Sequence, residues 1–157
     1  MNVKIMTLPA TRVAYLRHTG SYGRPVSAFW MNVAMPWLVA NGLEKLPRYG
    51  IGRDDPFTTE PGKCRYDVGV AVPDDFVIAD PAAVDFLPGG FHAVVPFDGT
   101  VDDIAGAYIA LLREWLPASG FKVDDDRPIC EFYPPEARYD ADAGWFQCDL
   151  CVPLRGA

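Results

Sequence analysis

Apolar and polar side chains alternate from the start of the chain. Val3, Ile5 and Thr7 take one parity, and Lys4 and Met6 the other. Leu8-Pro9-Ala10 then turns the chain, and residues 12–18 alternate again, with Val13, Tyr15 and Arg17 against Ala14, Leu16 and His18. A period of two predicts strands with one covered face. Over residues 24–40 the pattern becomes helical. Pro25 suits a first turn, Asn41-Gly42 suits an end, and Pro36 inside predicts a kink or a restart. Two more strands are predicted near 49–53 and 64–72, joined by a turn-rich loop at 54–63.

The same order then returns. Strands at 84–87 and 91–97 flank the turn Pro88-Gly89-Gly90. Thr100-Val101-Asp102-Asp103 reads as a helix start, with carboxylates in the positive first turn. Val101, Ile104, Tyr108, Leu111 and Trp115 fall on one helical face, and Ser119-Gly120 ends the helix. Strands at 128–133 and 145–152 complete the set. Individual residues recur too. Leu8-Pro9 returns as Leu87-Pro88, Ala14 as Ala93 and Gly20 as Gly99, all at one interval. Ala40-Asn41-Gly42-Leu43 is echoed by Ala118-Ser119-Gly120-Phe121, and Val72-Pro73 by Val152-Pro153. An internal duplication, with repeats at about 1–78 and 79–157 of a single domain, accounts for this order. The expected fold class is α+β: duplicated strand–helix–strand–strand units with pseudo-twofold symmetry. About eight strands should form an antiparallel or mixed sheet, with two long helices on one face and a ligand cleft on the other.

Composition narrows the function classes. Of the 157 residues half are hydrophobic, enough for a sizeable core. Net charge is −7, with only 14 Lys and Arg, so direct DNA binding is not expected. No run approaches a membrane span and no leader pattern opens the chain, which makes the cytoplasm the expected location. Cys148 and Cys151 form one C-x-x-C, read as half-buried strand residues rather than a redox or zinc pair. His18 and His92 lack metal-ligand spacing, so neither a metal nor a cofactor is expected.

Glu131 is the residue that stands out. In Ile129-Cys130-Glu131-Phe132-Tyr133 alternation places Glu131 and Tyr133 on one face and Cys130 and Phe132 on the other. If Cys130 and Phe132 face the helices, Glu131 and Tyr133 face the cleft. A carboxylate on an apolar strand either pairs with an arginine or awaits a cationic or proton-donating ligand. Tyr66, Phe91, Trp30 and Trp145 are candidate aromatic walls, and rings around one carboxylate suit a flat hydrophobic cation. Arg65 and Asp67 share the opposite parity to Tyr66 and are candidates for an ordinary cross-strand ion pair.

The ordered residues also resemble the GyrI-like family of bacterial effector-binding domains. The resemblance rests on the run from Leu8-Pro9-Ala10 through Gly20-Ser21-Tyr22, then Phe29-Trp30, Ile51-Gly52-Arg53-Asp54-Asp55-Pro56 and Arg65-Tyr66-Asp67-Val68. It continues with Leu87-Pro88-Gly89-Gly90, Trp115-Leu116-Pro117, Glu131-Phe132-Tyr133 and Val152-Pro153-Leu154. It implies the duplicated fold and a stand-alone small-molecule-binding protein with no helix-turn-helix. It further implies a pocket glutamate at Glu131, with Tyr133 and Tyr66 at aromatic pocket positions, and Trp30 and Trp145 after them. Two other functions follow from the resemblance alone. One is a hydrolase of strained cyclopropane rings with Glu131 as general base. The other is a protein module with DNA gyrase as partner, where Asp124-Asp125-Asp126 is a candidate acidic loop. Pro134-Pro135 departs from the short polar loop more usual after this strand.

Overall fold

The computed structural model describes residues 1–155; the last two residues of the second predicted repeat lie outside them. The chain runs β1 (Lys4–Leu8), β2 (Thr11–Thr19), helix α1 (24–40), β3 (Arg48–Gly52), β4 (Arg65–Ala71), β5 (Ala83–Leu87) and β6 (Gly90–Thr100). Helix α2 (101–119), β7 (Lys122–Val123), β8 (Ile129–Tyr133), β9 (Tyr139–Asp140) and β10 (Trp145–Arg155) follow. A single 3-10 turn, Pro61–Lys63, sits in the loop before β4.

Both helices contain a widened π-type turn, Trp30–Ala34 in α1 and Ala110–Trp115 in α2. Each ends two residues before a proline, Pro36 or Pro117. Proline cannot donate to the ladder and crowds the carbonyl one turn back, and the wider turn takes up that misfit. The predicted restart at Pro36 therefore takes this form, and α1 continues to Ala40. At the start of α2 the Asp103 carboxylate accepts the backbone N–H and the hydroxyl of Thr100, both at 2.9 Å.

Eight strands form one path in the order β1-β6-β10-β8-β3-β4-β2-β5, with β7 and β9 added beside β10. The order is palindromic about the β8–β3 junction. Every pairing is antiparallel. The first strand of each half leaves it: β1 pairs with β6 and β5 with β2, so the halves interlock. The ladder also corrects one echo read from the sequence. Ala14 faces Val70 and Ala93 faces Val152, so the counterpart of Val72 is Leu154 and not Val152.

Both helices lie on one sheet face, as expected. Helix α1 covers Ala14, Leu16, Tyr66, Val68 and Val70 through Val26, Ala34 and Leu38. Helix α2 covers Val95, Phe97, Cys148 and Leu150 through Leu111 and Leu116. The cleft, however, is not on the opposite face. Val13 on β2 and Val94 on β6, far apart in strand order, share a cluster with Ile51, Leu87, Cys130 and Cys151. The sheet curls until that face closes on itself. Twisted strands curl readily, and burying six apolar side chains there favours the closure. The sheet centre is then left open, among the described residues, at the gap between the helices. Among the described residues no helix is long and apolar enough to cross a membrane.

Candidate functional site

A hollow of about 880 Å³ opens between α1 and α2, floored by the central strands. Its volume suits a drug-sized molecule. Val26, Trp30 and Met31 wall it on one side, and Val101, Ile104 and Tyr108 on the other. Alternation along β8 sends Glu131 and Tyr133 into it, while Cys130 and Phe132 enter the closed face. The parity expected from sequence holds, but the faces are exchanged: Glu131 lies beneath the helices because the hollow does.

Glu131 is 7% exposed and makes no ion pair among the described residues. Its oxygens are held by phenols instead. Tyr66 donates to Oε1 at 2.7 Å and Tyr108 to Oε2 at 2.6 Å, and Trp30 Nε1 donates in turn to the Tyr66 oxygen at 3.1 Å. A carboxylate only accepts, so the chain of donors runs from the indole through the phenols to Glu131. Burial pushes the Glu131 carboxyl above its ordinary value, against the opposing pull of the bonds from Tyr108 and Tyr66. Burial first, and the Glu131 charge second, drive the Tyr66 and Tyr108 hydroxyls well above theirs. Both phenols therefore stay protonated donors at neutral pH.

Gly50 makes this arrangement sterically possible. It faces Glu131 directly across the β3–β8 junction. A Cβ there would stand 1.8 Å from the Tyr66 oxygen and 2.7 Å from Glu131 Oε1. No side chain fits without displacing the acid or its donor.

The structure gathers five of the six aromatic and acidic candidates. Glu131, Tyr133, Tyr66, Trp30 and Trp145 all line the hollow. The Trp30 and Tyr133 rings lie 5.0 Å apart, and Trp145 sits toward the rim with its indole N–H on Asp98. Phe91 is elsewhere: its ring packs on Phe121 at 5.8 Å in the core under α2. Position on a strand next to a turn could not separate these two environments. Tyr108 and Gly50 were missed as site residues. Tyr108 carried a signal, since it shares the helical stripe of Val101 and Ile104, but the stripe read as core. The widened turn splits it, leaving Tyr108 at the hollow and sending Leu111 into the core.

Other candidates resolve simply. Cys148 and Cys151 are three apart on β10 and enter opposite clusters, so they form no pair. Arg65 pairs with Asp54 at 2.9 Å rather than with Asp67, which is met across the strands by Arg17. Among the described residues no three His, Cys, Asp or Glu side chains could hold a metal ion.

Known proteins share this architecture. The family description "GyrI-like small molecule binding domain" matches residues 1–155. "Probable transcriptional regulator YgiV" of Escherichia coli (strain K12) is 32% identical over 164 aligned positions, covering 98% of this chain and 96% of YgiV. A protein of Edwardsiella piscicida named "DNA gyrase inhibitor" is 29% identical and matches over 99% of both chains. Among solved structures, SAV2435 bound to tetraphenylphosphonium aligns with a TM-score of 0.69 at 16% identity, over 99% of this chain and 95% of its own.

Proposed function

Because the chain belongs to the GyrI-like family of small-molecule-binding domains, we propose that its hollow binds a bulky, largely hydrophobic cation, with Glu131 as counter-charge and the aromatic walls as contact surface. The observation that carries this reading is the state of Glu131. A buried carboxylate with no cation beside it is costly, and its phenol donors reduce that cost without cancelling the charge. A cationic ligand supplies what the fold leaves out. Trp30 and Tyr133 add ring faces, each worth about 0.5–2 kcal/mol against a desolvated cation. Binding is favoured over turnover because each Glu131 oxygen already accepts a phenol, so neither is left wholly to a water molecule. SAV2435, of the same fold, is described with tetraphenylphosphonium, which makes that cation a natural probe.

The test is a titration followed by tryptophan fluorescence. Tetraphenylphosphonium should quench Trp30, and Glu131→Gln should weaken binding by roughly tenfold or more, the scale of one lost charge-assisted contact. Tetraphenylborate has the same shape and the opposite charge, and it should bind more weakly, with no loss in Glu131→Gln. Equal binding of the two ions, or an unchanged affinity in Glu131→Gln, would refute the reading.

A further inference from the structure

Arg48 lines the same hollow from β3. It stands opposite Tyr133, two residues along from Gly50, and is only 6% exposed. Its Nη1 donates to the backbone carbonyl of Glu44 at 2.7 Å. Among the described residues no carboxylate pairs with it. The Glu44 side chain does not serve, since its buried Oε2 has no partner at all. The two half-buried arginines at the hollow differ from it, and Arg113 and Arg138 at its rim are exposed. Arg53 is bound by Asp67 and Asp85. Arg127 is bound by Asp124 and by the carbonyls of Gly89, Phe91 and Leu154. Arg48 alone of the three carries a buried guanidinium without a counter-charge, and burial pushes it below its ordinary value while Tyr139 and Tyr133 act the other way.

Arg48 and Glu131 do not neutralise each other. Strand spacing puts their Cα atoms about 8 Å apart on a diagonal, and the Glu131 oxygens are occupied by phenols. The hollow therefore holds two buried and opposite charges, each without an ionic partner among the described residues. We propose that Arg48 is an anion-accepting pole, so that the preferred ligand is a zwitterionic aromatic molecule whose cation meets Glu131 and whose carboxylate meets the Arg48 fork. The guanidinium suits this role, because its planar donors match a carboxylate two bonds at a time. The inference rests on the cation-binding reading above and adds the second charge.

Rhodamine B, a cationic xanthene with a free benzoate, and its methyl ester differ only in that anionic group. Fluorescence anisotropy should show wild-type protein binding the free acid at least roughly tenfold more tightly than the ester. Arg48→Gln should remove the preference by weakening the acid alone, and Arg48→Lys should keep part of it through its point charge. Glu131→Gln should weaken both dyes. Circular dichroism confirms that each variant is folded, and the wild-type preference needs no variant at all. Equal wild-type affinity for the two dyes, with both weakened by Glu131→Gln, overturns the Arg48 pole and leaves the cation site standing. Failure of both dyes to bind overturns the two-pole ligand whatever tetraphenylphosphonium does.

Discussion

Two carboxylates are buried on opposite faces of the same sheet, on the strands either side of β3, and they are satisfied in different ways. Asp67, fully buried, is gripped by Arg17 through two bonds of 2.8 and 3.0 Å and by Arg53 at 2.8 Å. Arg53 extends the network to Asp85 on β5. Glu131 has phenols and no cation. The first site is electrostatically complete and ties β2, β4 and β5 to the residue that follows β3. The second is held by neutral donors alone and faces a void. A buried acid with its own arginines belongs to the scaffold, whereas one surrounded by neutral donors and empty volume is poised for an outside partner.

The largest effect should come from breaking the complete site. Asp67→Asn leaves two arginines packed without their counter-charge and should cost about 3 kcal/mol of stability, measured by urea unfolding. Gly50→Ala comes next. Its methyl must displace Tyr66 or Glu131, which should cost about 2 kcal/mol and also abolish tetraphenylphosphonium binding. Glu131→Gln should do the reverse to stability, raising it by about 1 kcal/mol at neutral pH by removing an unpaired buried charge, while cation binding weakens.

The pH dependence follows in sign. The folded-state value of Glu131 lies above its unfolded one, so the folded protein binds its proton more readily. The destabilising charge is fully present above the folded value and disappears as pH falls toward the ordinary carboxyl range. The stability gap between Glu131→Gln and wild type should close over that window, as acid titrations of both proteins will show. Cation binding by wild type should fade over the same window. The smallest effect belongs to Arg24→Ala. It removes the exposed pair with Asp102 that joins the starts of α1 and α2, and it should leave the melting temperature unchanged.

Much of the fold was legible because its signals are local. Period two marked β2, β4, β6 and β10 within a residue or a few of their observed ends, and Pro25, Gly42, the Thr100–Asp103 start and Gly120 marked the ends of both helices. The parity of Glu131 with Tyr133 is equally local and holds. Phe91 was misplaced because its neighbours, Phe121 above all, come from a distant segment. Arg48 and Gly50 gave no sign of importance for the same reason: one matters through the carboxylate that fails to reach it, the other through a phenol and an acid on two other strands.

The amino-acid order thus determined the elements, their sequence of recurrence, the family, and which side chains share a strand face. Tertiary structure decided which face is which. A period of two cannot distinguish the side a helix covers from the side a curling sheet seals, because both sides are apolar. That choice came from closure of the Val13–Val94 face, which left the carboxylate of Glu131, the phenols and Arg48 together in the hollow between the helices.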